Sequence, residues 1–124
     1  MKSYTDLEQS KVLSKILPLE SADMYYDDIV DRVTGELFIP NDGSTIKVGK
    51  GLCGTINAWS LASLLGVLPD ELEDNHFLTL EKEGNEYCCC YEDNNGNSFR
   101  HTFADNPVDA CVAMIEKLHE LKML

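Results

Sequence analysis

The C-terminal stretch 106–124 carries the most regular pattern of apolar and polar positions in the chain. Asn106 suits a helix N-cap, Pro107 suits the first helical position, and Lys117 and Lys122 place positive charge where the helix dipole favours it. Apolar residues recur at spacings of three and four, as they do on one face of an α-helix: Val108, Cys111, Val112, Met114, Ile115, Leu118 and Leu121. The pattern predicts a long C-terminal helix with one buried face.

Two further helices are predicted closer to the N-terminus. Thr5-Asp6-Leu7-Glu8 has the form of a capping box, and the apolar stripe that follows it ends at Pro18. The run from Ile56 to Leu68 is rich in Ala and Leu, and Pro69 follows it. It predicts a central helix, capped by Asn57 or Thr55, that buries Trp59.

Three runs in the last third alternate in the manner of β-strands, namely 76–82, 86–91 and 98–103. A two-residue turn between the first two runs would pair Leu80 with Cys89 and Leu78 with Tyr91. The sequence therefore predicts an antiparallel meander.

The second turn decides which side chains share a face of this sheet. A three-residue loop at 94–96, with Gly96 in the left-handed region, gathers the large side chains under the C-terminal helix. The predicted buried face holds Leu78, Leu80, Tyr87, Cys89, Tyr91, Phe99, His101 and Phe103. The predicted outer face holds Thr79, Glu81, Cys88, Cys90, Arg100 and Thr102.

The segment before the central helix is less regular. Residues 21–26 indicate a short extended segment, and the runs 36–39 and 45–48 indicate a hairpin or an inserted flap. The sequence does not decide whether residues 27–55 belong to the core or form a flap. We expect one domain over residues 1–124. Its predicted class is α+β, with two layers and the N-terminal, central and C-terminal helices packed mainly on one face of an antiparallel sheet.

Composition narrows the classes of function. The chain has 124 residues, 44% of them hydrophobic, and 10 Lys and Arg against 22 Asp and Glu give a formal charge of -12. Direct binding of nucleic acid is disfavoured, because it needs cations that replace the counterions of the phosphates. The same negative charge would favour binding to a basic protein partner. It would also allow this chain to act as an acidic inhibitor that mimics nucleic acid.

The sequence shows no apolar leader and no stretch long enough to cross a bilayer, which predicts a cytoplasmic protein that does not bind membranes. Five cysteines in no disulfide spacing, three of them consecutive at 88–90, predict reduced thiols.

The segment 51–59 contains a glycine-flanked cysteine, Cys53, before the predicted central helix, where a helix dipole lowers a thiol pKa. This Cys-Gly pair followed by Trp resembles the nucleophile region of papain-like cysteine peptidases. The resemblance implies Cys53 as nucleophile, His101 or His76 as base, and Asp105 or Asn106 as the residue that orients the imidazole. The Cys-to-Trp spacing and the absence of an upstream glutamine depart from that family.

No metal site or cofactor is predicted. Alternate strand residues face opposite sides, so at most two of the cysteines 88–90 share a site, and no CxxC pair completes the set. Cys88 and Cys90 do share a face, where they could bind a soft metal or oxidise. The Asp93–Asn97 run lacks the distal acid of a calcium loop, so it predicts a turn.

Three segments, 17–26, 59–69 and 106–115, are similar to a family of short uncharacterised proteins of gut bacteria and their phages or mobile elements. The resemblance brings no activity or cofactor; it implies a small accessory protein inside a bacterial cell.

With no complete catalytic set, an enzyme is not favoured. We expect a non-enzymatic protein-interaction module, with a protein partner of unknown identity or a homodimer. The residues predicted for contact are Tyr25, Tyr26, Cys88, Cys90 and Arg100. The alternatives are a cysteine-dependent hydrolase or transferase using Cys53, and the acidic inhibitor.

Overall fold

A computed structural model describes residues 1–27, 46–51, 55–73 and 75–124. Within them the predicted α+β class is confirmed, with three α-helices and two antiparallel sheets. The first run of the predicted hairpin, at 36–39, lies outside the described residues.

The chain divides into two compact units. The N-terminal unit comprises Tyr4–Ser63, and the C-terminal unit comprises Met1–Ser3 together with Leu64–Leu124. The expectation of a single domain stays a prediction.

The N-terminal unit contains a three-stranded sheet with β1 in the centre, paired antiparallel on both sides. Its elements are helix α1, a 3-10 turn and strands β1, β2 and β3: Leu7–Leu13, Leu19–Ser21, Met24–Tyr26, Ile46–Val48 and Ile56–Ala58. Leu7 of α1 packs on Tyr26 and Ala58 in the core of this unit. Helix α1 therefore covers this small sheet.

Thr5 organises the polar interior of the N-terminal unit. This fully buried residue donates its N–H to the Trp59 carbonyl (2.9 Å), and its hydroxyl accepts from the Trp59 N–H (3.1 Å) and lies 2.8 Å from the Ser10 hydroxyl. Its carbonyl accepts from the Tyr26 hydroxyl at 2.8 Å. Because each polar group of Thr5 has a buried partner, none carries an uncompensated desolvation cost.

The predicted capping box is displaced by one residue. The cap of α1 is Asp6, whose carboxylate accepts from the Gln9 N–H (2.8 Å) while the Asp6 N–H donates to the Gln9 side chain (3.1 Å). Thr5 cannot serve as the cap, because its hydroxyl already bonds to Trp59 and Ser10.

The central helix was predicted too long. Residues 56–58 form β3, and helix α2 spans only Leu61–Val67. Strand pairing with β1 competes successfully for these residues, and Ser60, not Asn57 or Thr55, caps the helix by accepting from the Ser63 N–H at 3.2 Å. The predicted burial of Trp59 is confirmed.

The C-terminal unit is a four-stranded sheet in sequential order with a helix against its last two strands. Its strands β4, β5, β6 and β7 and its helix α3 are Glu71–Leu72, His76–Glu83, Glu86–Glu92, Ser98–Ala104 and Pro107–Glu120. The predicted meander is confirmed, including the pairs Leu80↔Cys89 and Leu78↔Tyr91.

Helix α3 follows the prediction closely. The Asn106 carboxamide accepts from the Asp109 N–H at 2.8 Å, and Pro107 begins the helix. The apolar stripe is buried from Val108 to Leu118, whereas Leu121 is 44% exposed beyond the helix end. None of the described helices has the length and apolar run required to cross a membrane.

The predicted three-residue loop at 94–96 is confirmed, because Tyr91 pairs with Phe99 and Gly96 has a φ of +81°. The register then shifts again, so that Cys89 pairs with Thr102. Two residues of β7, Arg100 and His101, thus lie opposite one residue of β6, as in a β-bulge.

This bulge corrects the predicted faces. Thr102 joins the face under α3, where its hydroxyl donates to the Ala110 carbonyl at 2.8 Å. His101 and Phe103 move to the opposite face, which they share with Cys88 and Cys90. The physical reason is the two-residue period of a strand, since one extra residue reverses every later side chain.

Replacing Tyr26 by Phe tests the buried hydrogen bond to Thr5. We expect the free energy of unfolding to fall by about 1–2 kcal/mol near neutral pH, because the Thr5 carbonyl loses its partner. Urea titration monitored by circular dichroism measures the loss. The control is Tyr25→Phe, and equal effects of the two variants would contradict the assignment.

The same pair of variants tests a pH dependence. Burial, and after it the charges of Tyr4 and Asp6, raises the pKa of Tyr26 from 10.0 to about 12. The unfolded chain then loses this proton first, so the stability due to Tyr26 is complete below pH 10 and is lost as pH rises towards about 12. In Tyr26→Phe the free energy of unfolding should fall less steeply with pH above pH 10. The same slope in the variant and the native chain would contradict the raised pKa of Tyr26.

Removing the cap of α3 with Asn106→Ala should lower the free energy of unfolding by about 1 kcal/mol. Glu120→Ala, at the exposed end of the same helix, should change it by less than about 0.5 kcal/mol. Denaturant titration of both variants compares the two ends. A neutral Asn106→Ala would show that the cap does not support the helix.

Candidate functional site

Two thiols and an imidazole lie close together on the face of the larger sheet opposite α3. Cys88 and Cys90 are two positions apart on β6, so both point to this face. The bulge adds His101 from the neighbouring strand. These three residues form what we call the thiol–imidazole cluster.

The donor atoms of the cluster are close together. The two sulfurs and an imidazole nitrogen all lie within 4.8 Å of one another, and Cys88 Sγ is 3.8 Å from His101 Nδ1. The other ring nitrogen, Nε2, is 3.1 Å from the Ser98 hydroxyl. The imidazole also stacks on Phe103, with ring centroids 5.9 Å apart. The ring is therefore held with Nδ1 towards the thiols.

Burial and charge keep these thiols protonated. Cys88 and Cys90 are 4% and 3% exposed, whereas His101 is exposed. Burial, and after it the neighbouring Cys88 thiol and the Glu81 and Glu92 carboxylates, raises the pKa of Cys90 to about 12. Burial is also the main cause of the raised pKa of Cys88. Neither thiol is an activated nucleophile.

The remaining described cysteines form a separate pair on the other face. Cys89 and Cys111 are fully buried between β6 and α3 and share a hydrogen bond. That hydrogen bond, and after it burial, raises the pKa of Cys89. The pair therefore serves as core packing.

Oxidation of Cys88 and Cys90 to a disulfide is disfavoured by the strand. An extended strand places Cα atoms two residues apart at about 6.6 Å, near the upper limit of about 6.8 Å for disulfides. All four described cysteines are free thiols. Of the two reactions predicted for this pair, binding of a soft metal fits the backbone better.

The residues predicted for cysteine catalysis do not form a described site. Cys53 lies outside the described residues, so its distance to any base is not defined. His76 Nδ1 is 3.0 Å from the Glu73 carbonyl, and His76 Nε2 is 4.0 Å from Asp93. The exposed Asp105 accepts a hydrogen bond from Asn106 at 3.0 Å, next to the helix cap.

The predicted contact residues belong to both units of the chain. Tyr26 is buried and bonded to Thr5, and Tyr25 is half-buried on the same strand. Arg100 donates to Glu73 at 3.0 Å and lies 5.1 Å from the Phe99 ring. Cys88 and Cys90 lie together in the C-terminal unit, within the thiol–imidazole cluster.

Sequence reasoning missed the position of His101 because the bulge has no glycine to mark it. Arg100 adopts a φ of +58°, a conformation that costs a non-glycine residue on the order of 1–3 kcal/mol. Its guanidinium donates to Glu73 and lies over the Phe99 ring, and these contacts fix the side chain in this conformation. Those contacts join residues up to 27 positions apart, and no local pattern encodes them.

Comparison with known proteins gives no relative: no protein-family model, curated protein or solved structure matches the chain. The resemblance to short proteins of gut bacteria and their phages stays a prediction, as does the cytoplasmic location.

The rate of alkylation measures how far the Cys90 thiol is protonated in the folded chain. Relative to an ordinary pKa of 9.0, a value of about 12 leaves Cys90 about a thousandfold less thiolate at neutral pH. Iodoacetamide should therefore modify folded Cys90 at least about 100-fold more slowly than the urea-unfolded chain, as read by tandem mass spectrometry. Its rate should still rise above pH 9.0, and a plateau below that pH would contradict the raised pKa.

Proposed function

We propose that the protein is a non-enzymatic interaction module whose larger sheet binds a basic segment of a partner protein. The binding surface is the sheet face opposite α3, here called the open face. Its members follow from the strand pairings: Phe77, Thr79, Glu81, Glu83, Glu86, Cys88, Cys90, Glu92, His101 and Phe103.

The observation that carries the proposal is the exposure of two large aromatic side chains on this face. Phe77 on β5 is 42% exposed and Phe103 on β7 is 54% exposed. A buried phenylalanine is worth about 2 kcal/mol more than an exposed one, so each gains from being covered. Aromatic residues are also enriched at the centres of protein interfaces.

The charge of the open face supports a basic partner. Glu83 and Glu86 are directly paired across the hairpin, and Glu81 lies on the same face, all three exposed. Like charges placed opposite each other on a sheet are destabilising, and lysine or arginine from a partner would relieve that repulsion. The formal charge of -12 adds long-range attraction for the same partner.

The same charge disfavours the homodimer expected as an alternative. Symmetric pairing of two open faces would bring two sets of carboxylates together. A partner of opposite charge covers the two aromatic rings without this cost.

A random peptide display library supplies the probe, because the natural partner is unknown. We expect selected peptides to combine lysine or arginine with an apolar residue. Titration of purified peptides by fluorescence anisotropy should show binding at least tenfold weaker for Phe103→Ser, and weaker for the native chain as salt rises. Leu121→Ser should leave binding unchanged, since Leu121 is 44% exposed but follows α3, which covers the other face of the same sheet.

Two outcomes would overturn the proposal. The first is selection of peptides without excess positive charge whose binding persists in Phe77→Ser and Phe103→Ser. The second is a concentration-dependent dimer of the native chain, detected by sedimentation and abolished by Phe103→Ser, which would assign the open face to self-association.

A further inference from the structure

We propose that Cys88, Cys90 and His101 form a Zn²⁺ site with three protein ligands and one open coordination position. This site would add metal binding to the protein, and it does not depend on the proposed partner.

The donor set is the first support. Two thiolates and an imidazole are ligands that Zn²⁺ commonly takes, and three protein ligands with an open fourth position are known for this ion. The two cysteines alone would be a poor site. The bulge at Arg100 and His101 supplies the third ligand from a different strand. The pairing of β6 with β7 on both sides of the bulge fixes the three ligands relative to one another.

The distances are the second support. With Zn–S bonds of about 2.3 Å and Zn–N bonds of about 2.0–2.1 Å, tetrahedral donors lie about 3.5–3.8 Å apart. Cys88 Sγ and His101 Nδ1 are already 3.8 Å apart, and no pair in the cluster exceeds 4.8 Å. Closing the set requires donor shifts of about 1 Å or less, which side-chain rotation on a fixed strand supplies.

The orientation of the imidazole is the third support. A metal-bound histidine usually donates its second ring N–H to a neighbouring acceptor, which fixes the tautomer and the ring plane. Here Nε2 lies 3.1 Å from the Ser98 hydroxyl, and the ring stacks on Phe103. With the hydrogen on Nε2, the lone pair of Nδ1 points towards Cys88.

The surrounding charge also suits a cation. Glu81 pairs across the sheet with Cys88, and Glu92 follows Cys90 by two residues on the same face. Binding one Zn²⁺ breaks two S–H bonds, forms two Zn–S bonds and one Zn–N bond, and releases two protons to solvent. Cys88 and Cys90 are nearly buried, and the exposed His101 marks the side of the site that faces solvent.

The test titrates Zn²⁺ and Co²⁺ into the reduced full chain. We expect one ion per chain by calorimetry, and with Co²⁺ the near-ultraviolet thiolate charge-transfer band together with the visible bands of tetrahedral coordination. Cys90→Ser and His101→Gln should each weaken binding at least tenfold, and Cys90→Ser should reduce the charge-transfer band. His119→Gln, an exposed histidine on α3, should change nothing.

Protection of the native chain avoids reliance on variants that fail to fold. Zn²⁺ should slow alkylation of Cys88 and Cys90 at least tenfold, with the effect reversed by a chelator. Ser98→Ala should keep the Co²⁺ spectrum but weaken binding about tenfold, as expected for a positioning residue.

The proposal is overturned if the native chain gives no thiolate-to-cobalt band, or if Cys53→Ser abolishes the band while Cys90→Ser retains it. The peptide titrations can be repeated without metal, so failure of the zinc site and failure of the proposed partner binding are distinguishable.

Discussion

The two-residue alternation of side chains along β6 and its neighbours is the constraint on which the C-terminal unit depends. In β6 this period sends Cys89 and Tyr91 towards α3 and Cys88 and Cys90 away from it. Because of the bulge, Thr102 and not the larger His101 faces α3, where its hydroxyl donates to the Ala110 carbonyl. One extra residue in β7 thus serves both the core under the helix and the cluster on the open face.

The bulge also explains why the two faces differ in chemistry although both are buried along β6. On the α3 side, apolar packing and the Cys89–Cys111 pair exclude water. On the other side, the thiols are nearly buried, while Phe103, which is paired with Cys88, remains exposed. This face therefore combines thiols and an imidazole with exposed aromatic rings and carboxylates, a composition that differs from the core under α3.

Much of the fold was predictable because its signals are local. The N-cap at Asn106, the two-residue turn that pairs Leu80 with Cys89, and the glycine loop at 94–96 each involve residues within a few positions of one another. The errors fall where a distant partner competes for a local signal. The Thr5 hydroxyl bonds to Trp59 and does not cap α1, and residues 56–58 pair with β1 and do not extend α2. Arg100 bonds to Glu73 at the bulge. The candidate site depends on the last of these, so it could be predicted only in part.

The contacts of Thr5 also bear on the order in which the chain folds. The buried hydrogen bonds of Thr5 reach Trp59, 54 positions later, and Tyr26, 21 positions later. Contacts between residues so far apart in sequence form only after a long loop has closed, and loop closure costs chain entropy. Such contacts therefore slow folding. During synthesis the apolar face of α1 therefore lacks its permanent partners until Ala58 and Trp59 have been made, which leaves that face accessible to chaperones.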